Sequence, residues 1–388
     1  STTLSLNGSV KDEAGKTIYQ FDKTLPVTFG EEDLKRISRQ PYAIYDVFPL
    51  IPGTYQFSVL LKNEVSKEFT SLERKLIIPA DESQGWVTPL LLGYKSERSE
   101  ASRDKLKPFQ LGGVSILAQA NRTFTRSEGL VLGFQVWGLP QNLRDQAEIV
   151  LDFLRDEQPF RSYSRRPAEY PAFPDVVEPV NLSEFLPAHY RVRVSVRAGG
   201  RELAAGEDEF DVTSLEKMAR PWVYSKILPG LDDPVYSLLI GNQLFSSGRY
   251  KEARVNLEAA YQKRPESSDS ALSLARVDMA LQDYSRVETL LLPFFDQAKP
   301  PRYEFFFLVA SAYHQRGEWD KALKILEQGI SHYGLNTVFL NLRGECYLRL
   351  GNTAEALRAW EKSLEINPAQ PDVQKVVESL QKKEPKNN

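Results

Sequence analysis

Two hydrophobic periods divide the chain. Before residue 215, short runs alternate apolar and polar residues, as in 191–196, where Val192, Val194 and Val196 alternate with polar side chains. A period of two predicts β-strands. After residue 234, apolar residues recur every three or four positions, which predicts amphipathic α-helices. We therefore expect a β region followed by a helical region.

The helical region repeats itself. A short turn recurs at Gly248, Gln282, Gly317 and Gly351, in steps of 34, 35 and 34 residues. The helices that precede these turns share one small residue at the same place: Gly241, Ala275, Ala310 and Gly344. A small side chain there lets the neighbouring helix approach closely, and a fixed period of this length indicates stacked helix–turn–helix units.

This pattern resembles the tetratricopeptide repeat (TPR) family over residues 234–388. The resemblance implies an α-helical TPR solenoid of four repeats, followed by a capping helix that covers the exposed end. The second repeat departs from the family pattern at two places. Val287 stands where alanine is expected, and Asp278 stands where the family has a Tyr-like residue.

The β region contains one local motif twice. Leu50–Tyr55 and Phe185–Tyr190 each place a proline and a small residue just before a tyrosine that opens a strand. The motif resembles the tyrosine corner of immunoglobulin-like and fibronectin type III sandwiches, where the phenol hydroxyl donates a hydrogen bond to upstream backbone. We expect two antiparallel β-sandwiches, at 1–80 and 81–213, and a linker at 214–233 that starts as a helix at Ser214.

The segment Gly85–Pro89 resembles the GWxTD signature of some bacterial envelope proteins, although proline replaces the final aspartate. Those proteins also combine β-sandwiches with TPR arrays. The resemblance implies a bacterial periplasmic, cell-envelope or secreted location. Because the chain begins at Ser1 rather than methionine, a signal peptide or an upstream domain is compatible with it.

Composition narrows the classes of partner. The 49 Lys and Arg residues against 52 Asp and Glu residues give a net charge of -3, without the basic excess of a nucleic-acid-binding protein. No apolar run reaches the roughly 18 residues that a membrane-spanning helix needs. The single cysteine, Cys346, cannot form an intramolecular disulfide. We expect protein partners rather than nucleic acid or a membrane.

Catalytic chemistry finds little support in the sequence. The three histidines are His189, His314 and His332, and none has a second His or Cys at metal-ligand spacing. No phosphate-binding glycine loop or nucleophile elbow is present. We therefore predict a non-enzymatic protein without a catalytic residue, cofactor or bound metal.

The TPR resemblance implies a concave groove lined by fixed positions on the first helix of each repeat. Carried over residue by residue, these positions are Leu238, Asn242, Phe245, Leu272, Arg276, Met279, Phe307, Ser311, His314, Asn341, Glu345 and Leu348. Leu238 stands where chaperone-binding TPRs have a lysine that clamps a carboxylate, which argues against a chaperone-tail adaptor. We predict a protein partner in this groove, with Phe245 and Phe307 as aromatic anchors. The alternative is that the protein's own linker or sandwich fills it.

A second contact surface is predicted in the proline-rich segment 158–179, interpreted as a long loop of the second sandwich. Its aromatic and basic residues suit a protein interface: Phe160, Arg161, Tyr163, Arg165, Arg166, Tyr170 and Phe173. The alternative is that these aromatic residues pack on their own sandwich.

These observations favour a scaffold protein, which could be a subunit of a larger assembly. Two other functions stay open. The sandwiches could bind carbohydrate through Trp86 or Trp222, whereas Trp137 is expected in the core. The chain could also be the accessory part of a larger enzyme.

Overall fold

The computed structural model describes residues 2–27, 42–80, 85–99, 105–220, 222–225, 228–295 and 301–382. The chain divides into two compact units, Ser1–Asp233 and Pro234–Asn388. The first, the β unit, is built of mostly antiparallel sheets, and the second, the helical unit, of α-helices. This order confirms the predicted fold class.

The first part of the β unit is a four-stranded antiparallel sheet in the order β2-β1-β4-β5. Its strands are β1 (Thr2–Asp12), β2 (Thr17–Val27), β4 (Gly53–Asn63) and β5 (Phe69–Ile78), while β3 (Tyr42–Tyr45) pairs with β18 (Trp222–Ser225) in parallel. The ring of Phe48 stacks on Tyr19 at 4.9 Å and contacts Phe21 and Phe57. These aromatic contacts cover the apolar face of the four-stranded sheet.

The second part is a sandwich of two sheets. The first sheet contains β6 (Trp86–Val87), β7 (Leu91–Arg98), β9 (Gln110–Leu111), β10 (Val114–Ala118), β12 (Leu130–Trp137) and β15 (Asp175–Val180). Their order is β15-β12-β7-β10-β9, and β6 pairs with β12. The second sheet contains β11 (Thr123–Thr125), β13 (Glu148–Arg155), β14 (Gln158–Arg165), β16 (Ala188–Ala198) and β17 (Arg201–Thr213). Their order is β11-β17-β16-β13-β14. A short helix, α1 (Gln141–Arg144), and the small pair β8 (Lys105–Leu106) and β19 (Leu228–Pro229) complete the unit. Leu132, Phe153, Tyr190 and Phe210 are all buried in its core.

Both predicted tyrosine corners are present. The hydroxyl of Tyr55 donates to Ile51 O at 2.8 Å, and the hydroxyl of Tyr190 donates to Leu186 O at 2.9 Å. Both rings are buried, at 4% and 0% exposure. Each hydroxyl therefore satisfies a backbone carbonyl at the start of a strand, which confirms the prediction from the repeated motif.

The predicted helix from Ser214 is wrong. Residues 222–225 form β18, because aromatic and β-branched side chains favour an extended backbone there. Arg220 ties the segment to the β unit, since its guanidinium lies 3.8 Å from the centre of the Tyr94 ring and its Nη1 donates to Gln119 Oε1 at 3.2 Å. Arg220 also forms an ion pair with Glu128.

The helical unit consists of helix–turn–helix pairs. Its helices are α2 (Pro234–Ser246), α3 (Tyr250–Lys263), α4 (Ser268–Ala280), α5 (Tyr284–Leu291), α6 (Tyr303–Gln315), α7 (Trp319–Tyr333), α8 (Thr337–Arg349), α9 (Thr353–Ile366) and α10 (Pro371–Gln381). The turns within the pairs share one residue with positive φ: 78° at Gly248, 63° at Gln282, 77° at Gly317 and 78° at Gly351. Glycine adopts this conformation without steric cost, so its recurrence explains the period in the sequence.

The small residues inside the first helices allow close helix packing. A Cβ atom on Gly241 would lie 2.5 Å from Leu257 Cγ, and one on Gly344 would lie 2.5 Å from Trp360 Cε2. Both distances are far below van der Waals contact. Each glycine thus lets the second helix of its own pair press a large side chain against the first.

Candidate functional site

The predicted groove positions form three rows across the first helices α2, α4, α6 and α8. Within one helix they follow the spacing i, i+4, i+7, which places them on one face. The first row is Leu238, Leu272, Phe307 and Asn341; the middle row is Asn242, Arg276, Ser311 and Glu345; the third row is Phe245, Met279, His314 and Leu348. The first helices of successive pairs contact one another, so equivalent positions are neighbours. We call this surface the groove rows.

Most of the groove rows are accessible. All members except Leu272 keep part of their surface exposed, and Leu348 is 37% exposed. Leu272 differs from the expectation, because the structure buries it to 2% exposure. Its helix α4 lies between other helix pairs on both sides, so a leucine there belongs to the packed interior rather than to a contact surface.

Polar contacts join neighbouring helices along the groove rows. Arg276 forms an ion pair with Glu304 on the next first helix, at 2.5 Å. His314 Nε2 lies 3.8 Å from Glu345 Oε2, a distance too long for a hydrogen bond. Asn341 donates to Gln370 Oε1 at 2.8 Å. The contacts of Arg276 and Asn341 thus join α4 and α8 to the elements that follow them in the array.

Two polar atoms of the groove rows stay unpaired. His314 Nε2 and Asn341 Oδ1 are buried and have no hydrogen-bond partner in the part of the chain that the structure describes. Such groups are uncommon in folded proteins because an unpaired buried polar atom costs free energy. Both lie in the C-terminal half of the groove rows, on α6 and α8.

An ionic cluster explains the departure at Asp278. The Asp278 side chain is completely buried on α4, with Arg254 Nε of α3 at 3.0 Å and Arg286 Nε of α5 at 3.3 Å. Burial raises the pKa of Asp278 to about 6, and the two guanidinium groups oppose that rise. The aspartate therefore joins three helices where the family pattern has an aromatic ring.

The segment 158–179 is not one long loop as predicted, because its first half is strand β14, antiparallel to β13. Phe160 packs against Phe185 at 4.9 Å, Tyr163 packs against Phe153 at 6.1 Å, and Tyr170 is 7% exposed. The aromatic side chains therefore pack on their own sandwich, as the alternative proposed.

The basic residues of this segment have internal contacts or lie in solvent. Arg161 lies over the Tyr163 ring, Arg166 is exposed, and Phe173 is covered by the guanidinium of Arg144 at 4.5 Å.

Glu178 is the residue that organises this region, and no pattern in the sequence predicts its role. The side chain is 3% exposed and accepts hydrogen bonds from Arg165 Nε at 3.1 Å, Tyr170 at 3.0 Å and Tyr163 at 3.3 Å. Burial, with the Glu178 carboxylate as the second cause, raises the pKa of both tyrosine hydroxyls. Since Glu178 belongs to β15 and its other partners to β14 and the turn, the cluster joins the edges of the two sheets.

The tryptophans of the β unit are arranged differently from the expectation. Trp137 is 39% exposed rather than buried in the core, because it is the last residue of β12. It lies directly opposite Trp86 in the β6–β12 pair. Thr88 then pairs with Gln135 through its amide and its hydroxyl, so the segment 85–89 is fixed to the sandwich by backbone contacts.

The surroundings of His189 and Cys346 indicate structural roles for both side chains. His189 Nδ1 donates a hydrogen bond to Asp211 Oδ1 at 2.9 Å, which raises the pKa of His189 on the surface of the sandwich. Burial raises the pKa of the Cys346 thiol to about 12, so the thiol is protonated and unreactive at neutral pH. The described residues contain no group of three or more His, Cys, Asp or Glu side chains placed to hold a metal ion. None of the described helices is long and apolar enough to cross a membrane.

Comparison with known proteins supports the family of the helical unit. Two tetratricopeptide repeat models match, one at residues 244–304 and the other at residues 338–370. None of the curated proteins matches the chain.

Solved structures of MamA are also similar. One, MamA AMB-1, is 19% identical with a TM-score of 0.34, and the match covers 36% of this chain and 82% of that one. Another, MamA from residue 41 to its end from Desulfovibrio magneticus RS-1, is 15% identical with a TM-score of 0.33, covering 36% and 78%. These scores are too low to support an argument about this chain. The two family models, together with the helix–turn–helix pairs and their glycine turns, establish that the helical unit is a tetratricopeptide repeat domain, a fold that serves as a scaffold for protein interaction.

Proposed function

We propose that this chain is a non-enzymatic scaffold that binds a protein partner along the groove rows. The observation that carries the proposal is the placement of the rows on one face of successive first helices. The first and third rows are largely apolar, and the middle row, Asn242 to Glu345, is polar. A surface of this kind offers apolar contacts on both sides of a line of hydrogen-bonding groups, which suits a polypeptide better than a small metabolite.

The groove rows contain two apolar anchors, one on α2 and one on α6. Phe245 is half-buried and contacts Tyr250 at 5.4 Å, and Phe307 is half-buried on α6. A half-buried aromatic ring has little freedom left to lose and still offers surface to a partner. Such anchors carry a large share of the binding energy in protein interfaces.

The C-terminal half supplies polar groups. Ser311 keeps part of its surface exposed and Glu345 is exposed, so both side chains can form hydrogen bonds with a bound polypeptide.

The setting of this scaffold is a separate proposal. A bacterial envelope or secreted assembly follows only from the likeness of architecture and of the segment 85–89. The alternative of glycan binding is carried by Trp86 and Trp137, which lie opposite each other with Trp137 39% exposed. Glycan binding would depend on Trp137 and not on the groove rows.

The test is an affinity pull-down from native extracts with the intact chain and the variant Phe245→Glu/Phe307→Glu. A matched control is Val255→Glu/Ile366→Glu, which places two glutamates at exposed apolar positions on second helices, where the side chains are 70% and 47% exposed. We expect a protein that the intact chain and the control recover and the groove variant loses. Recovery by all three would remove the groove from the account, and loss with Trp137→Ala alone would favour the glycan alternative.

A further inference from the structure

Strand β5 is an open edge with an apolar surface. In the described part of the chain it pairs only with β4, and it forms the end of the four-stranded sheet. Phe69 is 71% exposed, Leu72 is 46% exposed and Ile77 is 67% exposed. A long edge with unpaired backbone groups and exposed apolar side chains is a template for pairing with another strand.

The other edge strands of the larger sheets are protected in ways that proteins commonly use. β2 contains Pro26 and has an irregular register with β1, β14 contains Pro159 and has a register shift against β13, and β15 contains Pro179. β9 and β11 are only 2 and 3 residues long. β5 has 10 residues, no proline and an unbroken register with β4. Unlike the other edges, β5 is long, regular and free of proline, so its charged centre decides which strand can pair with it.

The centre of β5 carries charges that lack partners. Arg74 and Lys75 form no ion pair with any described residue, and Glu73 accepts one long hydrogen bond, from Gln56 at 3.5 Å. Three consecutive charged residues in this order, acidic then basic, can complement the same sequence running in the opposite direction. This makes a second copy of β5 a suitable occupant of the edge.

We propose that the chain forms a dimer in which β5 pairs with β5 of a second copy, antiparallel, about a twofold axis at Arg74. Directly opposed residues of an antiparallel pair lie on the same face of the sheet. The two sheets can therefore join into one continuous sheet only when each even-numbered residue of β5 faces an even-numbered residue of the partner, and each odd-numbered residue an odd-numbered one. With Arg74 on the axis, Glu73 lies opposite the partner's Lys75 on both sides, and Leu72 lies opposite the partner's Leu76.

The neighbouring registers are less favourable. An axis at Glu73 opposes two glutamates and places Leu72 opposite the partner's Arg74. An axis at Lys75 opposes two lysines and places Glu73 opposite the partner's Ile77. The proposed register opposes the two Arg74 side chains, which are exposed and screened by solvent. It offsets that repulsion with two ion pairs and two leucine pairs. The surface lies on the β unit and is independent of the groove rows.

The test is the oligomeric state of the full chain, measured by sedimentation over about 1 µM to 1 mM. In Glu73→Lys each new lysine lies opposite the partner's Lys75, and in Lys75→Glu each new glutamate lies opposite the partner's Glu73. Each variant therefore places like charges against each other at two points and should raise the dimer dissociation constant by about tenfold or more. The double exchange Glu73→Lys/Lys75→Glu should restore dimerisation. The control Val65→Lys changes a 68% exposed residue in the turn before β5 and should leave the constant unchanged.

A second measurement checks the register without depending on charge. In Arg74→Cys the two new cysteines oppose each other, so mild oxidation should give a disulfide-linked dimer, whereas Val65→Cys should form no disulfide between the two copies. The natural cysteine, Cys346, is buried and does not compete. A chain that is monomeric throughout the concentration range, or charge variants that fail to show loss and rescue, would overturn the proposal.

Discussion

Replacing Tyr55 by phenylalanine removes one hydroxyl from the first tyrosine corner and keeps the ring. The hydroxyl donates to Ile51 O at 2.8 Å and lies 3.3 Å from Pro52 O. Tyr55 and Ile51 are 4% and 6% exposed, so water does not readily replace the lost donor. The change therefore isolates the hydrogen bond from the packing.

The expected cost follows from these contacts. An intramolecular hydrogen bond contributes about 0.5–1.5 kcal/mol net, and a buried carbonyl left without a donor adds to the loss. We expect Tyr55→Phe to reduce the stability of the corner by about 1–2 kcal/mol, which corresponds to a 5- to 30-fold larger open population. Tyr190→Phe should behave alike, because its hydroxyl makes the same contact with Leu186 O.

Hydrogen exchange measured by mass spectrometry is the suitable assay, because it reports peptides of the β unit separately from the helical unit. Peptides that cover β4 should exchange about 5- to 30-fold faster in Tyr55→Phe. Tyr250→Phe serves as the control, since Tyr250 is 38% exposed and no hydrogen bond of its hydroxyl is found among the described residues. Unchanged exchange in β4 would refute the structural role that we assign to the corner.

Two further predictions concern the helical unit. Folding raises the pKa of Asp278 from 3.8 to about 6. Between about pH 6 and pH 3.8 the folded protein therefore holds a proton on Asp278 that the unfolded chain has released. As a result, the contribution of Asp278 to stability grows as the pH falls from about 6 to 3.8. Urea denaturation followed by the helical circular dichroism signal should show the wild type gaining up to about 3 kcal/mol relative to Asp278→Asn between about pH 7 and pH 4, and a difference independent of pH would contradict this. Gly344→Ala places a Cβ atom 2.5 Å from Trp360 and should cost about 1–3 kcal/mol, whereas an unchanged urea midpoint would show that α8 and α9 can separate at no cost.

The sequence predicted those features that depend on local chemistry. The helix–turn–helix period was visible because three of the four turns use glycine in a left-handed conformation. The second turn adopts the same conformation at Gln282, so it keeps the period although it contains no glycine. The tyrosine corners were visible for a similar reason, since a proline, a small residue and a tyrosine lie within a few positions of one another.

The failures come from interactions between distant residues. β14 was mistaken for a loop because Pro159 and the register shift at Phe153/Leu154 interrupt its alternation. β18 was mistaken for part of a helix because its partner, β3, lies far away in the sequence. In both cases the strand is fixed by pairing that a local pattern does not record.

The groove rows show the same division. Their membership was carried over from the TPR resemblance, which rests on a repeat period that the sequence contains. The burial of Leu272 and the unpaired atoms of His314 and Asn341 depend on how neighbouring helices pack, which spacing alone does not determine. Glu178 and the ionic cluster at Asp278 were likewise invisible, because an acidic residue in a strand or helix is ordinarily exposed.

The most direct test of the central claim is site-specific photo-crosslinking of the full chain in native extracts. A photoreactive amino acid replaces Ser311 or Glu345 in the middle groove row, and Val255 or Ile366 on the second helices in the controls. The account predicts one protein crosslinked from both groove positions, absent from both controls, and lost when Phe245→Glu/Phe307→Glu is combined with the probe. Crosslinks that appear equally from the control positions, or that survive the groove variant, would contradict the claim that the partner binds along the groove rows.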